Sequence, residues 1–211
     1  MSLIQQRLRA RYGEDAQAPD LASCTALIEQ LLEHRSVRAY LPDAVSEDML
    51  AAIIAAAQSA ASSSNLQAWS VVAVRDAATR AALAECAGDQ AHMREAPLQL
   101  VWLADLARPA RLGEQTGRPV AALDYTEMLL VGVIDAALAA QNAAAAAESL
   151  GLGTVYIGGL RNQPETVASL LSLPPGVIAV FGMCVGHPDP ARPAAIKPRP
   201  PQSVVLHREK Y

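Results

Sequence analysis

The sequence predicts one α/β or α+β domain: a three-layer sandwich whose central mixed sheet is flanked by helices, with one long central helix. Three observations carry that prediction. Four short apolar runs, 69–74, 98–104, 154–157 and 177–186, are separated by stretches of helical patterning. The run from about 123 to 150 is apolar and alanine-rich enough for one long helix. The 211 residues contain no internal repeat and no Gly/Ser linker, so 1–211 is expected to fold as a single domain.

Each element has its own signal. After a short N-terminal helix, Ser23 or Thr25 is placed to cap a second helix ending near Glu33. Ser46, followed by Glu47 and Asp48, caps a third, which runs through Met49, Leu50, Ile53 and Ile54 to about Ala60. A polar loop, 62–67, leads into the first strand, and 77–87 is helical up to Gly88. The stretch 108–119, with two prolines and two glycines, reads as a loop. Gly151 to Gly153 stops the long helix, Pro164 opens a short one, and 177–186 is apolar throughout, as a central strand should be. Beyond His187 the chain is proline-rich and extended, closing on a strand-like piece at 203–207.

Composition removes several function classes. Hydrophobic residues make up 52% and the net charge is −4, which excludes a disordered chain and offers no global basic field for nucleic acid or anionic lipid. Three scattered cysteines, Cys24, Cys86 and Cys184, argue against a disulfide framework and a zinc site and fit a reducing, cytoplasmic compartment. The N-terminus carries Arg7, Arg9 and Arg11 and no apolar signal core. The segment 128–150 contains Asp135, Gln141, Asn142 and Glu148, so it reads as a buried helix and not a membrane span; alanines 143–147 offer a thin face to another helix. There is no Walker loop, dinucleotide fingerprint or nucleophile elbow, and no residue is assigned a catalytic role.

Three polar clusters remain. His34, Arg35, Ser36 and Arg38 crowd a helix-to-loop junction and could clamp a phosphate, or could be a solvated helix end. Ser62, Ser63, Ser64, Asn65 and Gln67 could bind a polar ring edge, or form an ordinary turn. Lys197 and Arg199, spaced by Pro198, could present two cations to an anion, and equally could belong to a solvated tail or a PxxP ligand.

In this order the clusters resemble the nitroreductase family. The likeness runs from His34-Arg35-Ser36-Val37-Arg38 through Ser62 to Trp69, then 148–153 with Tyr156-Ile157-Gly158-Gly159-Leu160-Arg161-Asn162, and ends on 181–188 and Lys197-Pro198-Arg199. It is closest to the oxygen-insensitive NADPH nitroreductases and their flavin reductase relatives. The resemblance implies a homodimer with FMN at the subunit interface, using NAD(P)H to reduce a small electron-poor acceptor. By that likeness Arg35 and Arg199 bind the FMN phosphate with His34 and Ser36, and Arg38 and Lys197 lie near the flavin N1–C2=O edge. Tyr156, Ile157, Gly158 and Gly159 pass close to the ring, Gln90 bonds its pyrimidine portion, and Ser62, Ser63 and Asn65 reach over from the partner subunit. Asn142 and Gln141 are expected to be buried and structural. Ala68 stands where many members have proline. The sequence stops at Tyr211, short of the helical extension of the NADPH-linked branch, so its absence and an open choice between NADH and NADPH are expected. Three alternatives stay open: the same fold and FMN acting on another substrate, such as an enone; a flavin-binding protein with little turnover; and a cofactor-free scaffold with a docking tail.

Overall fold

The computed structural model describes residues 3–13 and 25–211. Helices α1 (Leu3–Tyr12), α2 (Ala26–Glu33) and α3 (Glu47–Gln58) lead to strand β1 (Trp69–Val74). Then come α4 (Ala77–Cys86), α5 (Ala91–Glu95), β2 (Leu98–Asp105), α6 (Ala107–Thr116) and the long α7 (Thr126–Ser149). β3 (Gly153–Ile157), α8 (Pro164–Leu170), β4 (Val177–Gly186) and α9 (Gln202–Val205) complete the chain.

The strands form one sheet in the order β1-β2-β4-β3, with every ladder antiparallel. The sheet is mixed only through an isolated parallel bridge, Ser36 to Thr154, by which the extended segment after α2 joins the β3 edge. β2 and β4 are the interior strands, as the uninterrupted apolar run of β4 predicts. Alternation sorts β2 between two cores. Leu98, Leu100 and Trp102 pack with Ile53 and Ala57 of α3 and the alanines of α7; Val101 and Leu103 pack with Leu83 and Ala84 of α4 and Val167 of α8. Three layers result.

α7 is long and apolar enough to cross a membrane. Here it lies along α3 and the sheet, burying Ala139, Ala140, Ala143, Ala144 and Ala147, so the small-residue face does admit a close helix neighbour. Asn142 makes the expected structural bond, donating to Ala56 O at 3.1 Å, but is only half-buried, and Gln141 is exposed. Ser46 caps α3 by accepting from Met49 N–H at 3.2 Å. Thr25 holds the N-cap position of α2 without a side-chain bond, and Ser23 and Cys24 lie outside the described residues.

Two expectations are corrected. The stretch 108–119 is not a loop, because α6 occupies Ala107–Thr116. Pro109 falls in the first turn, where no intrahelical N–H is needed. Asp105 accepts from Arg108 N–H at 3.0 Å to start the helix, and Gly117 ends it at φ 64°. The apparent breakers are therefore its punctuation. Likewise 203–207 is not a strand: α9 forms after Pro201, with Leu206 N–H bonded to Gln202 O at 2.8 Å. No sheet edge pairs with this run, so local bonds satisfy its backbone instead.

Candidate functional site

Segment 34–38 leaves α2 and runs beside β3, with Val37 N–H bonded to Thr154 O at 2.9 Å. Gly153 makes room for it: a Cβ there would lie 2.7 Å from the Val37 side chain. Val37 is buried, while Arg35 and Arg38 are exposed. His34 Nδ1 meets Glu148 Oε1 at 2.6 Å, and Thr154 Oγ1 donates to the same oxygen at 3.3 Å.

Arg35 borders a cavity of about 330 Å³ closed by Pro188, Pro190 and Pro193. Three carboxylates also line it, yet each is engaged elsewhere. Glu33 pairs with Arg7 at 2.6 Å, Glu148 with His34 at 2.6 Å, and Asp189 with Arg192 at 2.8 Å. Among the described residues, Arg35 is in no ion pair, and neither are Arg38, Lys197 and Arg199. Of these, Arg35 and Arg199 both act on Arg11, so in a chain of net charge −4 they make a local region that attracts anions.

The two basic clusters meet at Arg11, which sequence reasoning used only to exclude a signal peptide. Its Nη2 donates to Leu32 O at 2.9 Å and to His34 O, and its Nη1 donates to Lys197 O at 3.1 Å. Its own carbonyl accepts Arg199 N–H at 2.7 Å. Burial, and then the nearby charge of Arg199, pushes the Arg11 pKa down, with Arg35 adding to the same effect. Arg199 itself is exposed and bonds only to the Lys197 and Pro198 carbonyls through its side chain.

The other end of the segment faces the turn after α4. Gly159 lies against that turn, and a Cβ on it would sit 2.9 Å from Ala87 O. Gln90, the N-cap of α5, donates to the same Ala87 carbonyl at 2.9 Å. Gly158 borders the guanidinium of Arg161, which donates to Val180 O at 2.6 Å. Both glycines thus have an internal packing reason for lacking a side chain. His92 is buried with Nε2 unpartnered, and burial followed by the charge of Arg38 lowers its pKa. Arg38 and the Gln90 turn therefore share one neighbourhood. Ile157 is core, and half-buried Tyr156 stands edge-on to Phe181 with ring centroids 5.2 Å apart.

The serine loop lies elsewhere. Asp135 of α7, only 1% exposed, accepts from Ser62 Oγ at 2.7 Å, Ala68 N–H at 2.9 Å and Ser63 N–H at 3.4 Å. Ser62 Oγ in turn accepts Gln67 N–H at 2.7 Å, and Gln67 donates through Nε2 to Asn65 Oδ1 at 3.0 Å. Ser64, Asn65 and Gln67 all adopt positive φ, so the loop is held in a conformation that non-glycine residues rarely take. At 1.5 Å rise per residue, Asp135 and Glu148 stand about 20 Å apart along α7. Within this chain, then, Ser62, Ser63 and Asn65 do not join the cluster around His34.

The nitroreductase family profile matches residues 31–187. The chain belongs to the nitroreductase family. It is 45% identical to the oxygen-insensitive NADPH nitroreductase of Salmonella typhimurium over 184 residues, covering 87% of this chain and 74% of that protein. Identity to the NADPH-flavin oxidoreductase of Vibrio harveyi is 43% over 184 residues, with the same shares of each chain. A solved structure of the NADPH:FMN oxidoreductase from Vibrio harveyi complexed with NAD+ superposes with a TM-score of 0.83 at 42% identity, over 89% of this chain and 78% of that one. The family match takes in the HRS segment, the serine loop, Gln90 and the Gly158-Gly159 turn. It excludes α1, and with it Arg11.

Proposed function

We propose that this nitroreductase-family chain is an FMN-dependent NAD(P)H oxidoreductase reducing a small electron-poor acceptor: a nitroaromatic, a quinone or free flavin. The observation that carries the reading is the meeting of segment 34–38 and the 197–199 tail at Arg11, which brings Arg35 and Arg199 near it with neither in an ion pair among the described residues. A dianionic phosphate is the complement of such a cluster. Arg35 and Arg199 would hold the phosphate with Ser36 and the carboxylate-oriented His34. Arg38, whose charge acts on His92 next to the Gln90 turn, would place positive charge along the pyrimidine edge of the flavin, where it favours the reduced form. Tyr156, Ile157 and the Gly158-Gly159 backbone would lie close to the ring, and Lys197 would join Arg38 near its N1–C2=O edge. FMN held there would supply the two-electron chemistry of a ping-pong cycle between a nicotinamide donor and the acceptor. No side chain is needed as a nucleophile.

Ser62, Ser63 and Asn65 would complete the site from a second subunit. α7 supports a homodimer: Leu130, Ile134 and Leu138 recur every four residues and are exposed, alongside exposed Leu27, Ile28 and Leu31 of α2. Exposed apolar residues at helical spacing are the kind of surface that an isologous dimer covers. Sedimentation equilibrium should give twice the 22.2 kDa chain mass, and Ile134→Glu should shift the protein toward monomer; a monomeric wild type would refute the shared site. Buried free thiols at Cys86 and Cys184 suit a cytoplasmic protein.

The deciding experiment is the visible spectrum of the purified protein, before and after anaerobic NADPH or NADH. A flavin band that bleaches with at least one donor is expected, and the more effective donor sets the nicotinamide preference. A band that persists with both would mean a flavin-binding protein without turnover. A colourless protein that takes up no added FMN would end the proposal.

A further inference from the structure

We propose that Arg11 is the positioning residue of the phosphate-binding cluster: α1 acts as a clasp that fixes the 197–199 tail against segment 34–38. The inference rests on reading Arg35 and Arg199 as phosphate ligands. It concerns a part of the chain outside the family match, which begins at residue 31.

The tail cannot anchor itself. Pro193, Pro198, Pro200 and Pro201 have no N–H to donate, so few of its backbone groups can reach the body of the protein. Among the described residues, the hydrogen bonds that join Lys197 and Arg199 to the rest of the chain are both made by Arg11: Nη1 to Lys197 O at 3.1 Å, and Arg199 N–H to Arg11 O at 2.7 Å. The same guanidinium reaches Leu32 O at 2.9 Å and His34 O. One planar, multidonor group therefore holds the last turn of α2, the start of the HRS segment and the tail in one register. α1 is itself seated on α2 by Arg7, which pairs with Glu29 at 3.1 Å and Glu33 at 2.6 Å.

The charges around Arg11 explain why such a clasp would serve an anion. It is 5% exposed and lies near Arg199 and Arg35, with Glu148 as the nearby carboxylate. Glu148 is already paired with His34. A dianion seated between Arg35 and Arg199 would relieve this like-charge crowding, so the clasp and the ligand should stabilise each other.

The test compares FMN with riboflavin, which lacks the phosphate, on the full-length apoprotein. Flavin fluorescence titrations on wild type, Arg11→Met, Arg11→Lys and Arg199→Ala give both dissociation constants. Arg11→Met should weaken FMN by about tenfold or more while moving riboflavin by less than about twofold. Arg11→Lys should recover part of the loss, since an ammonium keeps the charge and some of the carbonyl bonds. Hydrogen exchange at the Arg199 amide should quicken in Arg11→Met. Equal loss of both flavins would reduce Arg11 to general structural support and overturn the inference, as would FMN binding unchanged in both Arg11 variants. If FMN binding survives Arg11→Met but falls in Arg199→Ala, only the clasp fails. If Arg199→Ala also leaves FMN binding intact, the phosphate assignment fails with it.

Discussion

Replacing Arg199 by alanine is expected to raise the dissociation constant for FMN by about ten- to a hundredfold, the range of one lost charge-assisted hydrogen bond to phosphate. The direction follows from what Arg199 does in the free protein. Its guanidinium touches only the carbonyls of Lys197 and Pro198, at 3.4 and 3.2 Å, and it is in no ion pair. Truncation therefore orphans no carboxylate and empties no core, and the loss should appear in binding and not in folding. Arg35→Ala should act in the same direction, since its neighbours Glu33, Glu148 and Asp189 are already paired. Because Arg199 is exposed, raising the ionic strength should narrow the gap between wild type and variant. Titrations of apoprotein with FMN at two salt concentrations check both statements. Wild-type affinity in both variants would remove these arginines from the site.

Much of the fold, and the polar clusters as candidates, could be read from the chain because their signals are local. β1 and β4 have the bounds that their apolar runs predict, and Ser46 caps α3 with an acidic first turn behind it. The basic cluster at 34–38 stands out for residue type and spacing, whereas the Gly158-Gly159 turn is singled out only by the family resemblance. What escaped was long-range or carried by the backbone. Arg11 binds three carbonyls, and carbonyls have no sequence signature. Asp135 was visible as a charge inside an apolar helix, but its partners Ser62 and Ala68 lie far upstream, so the residue argued against a membrane span without showing what it holds. The Ser62 hydroxyl suggests a ligand contact, but in the fold it both donates to Asp135 and accepts from Gln67 N–H. α6 was missed because Pro109 and Gly117 were weighed as breakers without regard to position: a proline in the first turn and a glycine after the last turn mark a helix.

Asp135→Ala is expected to cost about 2–4 kcal/mol of folding stability, among the larger effects a single substitution can have. Ala68 N–H is fully buried and would lose its acceptor, while Ser62 Oγ could turn toward solvent at less expense. The loop adds to the cost, because Ser64, Asn65 and Gln67 are held at positive φ, each a state that an unconstrained chain would leave. α7 also approaches the sheet closely here: a Cβ at Gly132 would lie 3.2 Å from Ala68 O, so the loop base has little room to settle elsewhere. Asp135→Asn should lose less, since its oxygen can still face Ala68 N–H and Ser62 while its amide meets the long, 3.4 Å contact from Ser63 N–H. Thermal denaturation at fixed protein concentration should show a fall of about 5–15 °C for alanine and a smaller one for asparagine. If the serine loop serves the partner's site, the stable fraction of Asp135→Asn should also bind FMN more weakly, because the loop that crosses the interface would be less well held. An alanine variant that melts with wild type would mean that the loop keeps its shape without this carboxylate, and Ser62 would then be free to serve as a ligand.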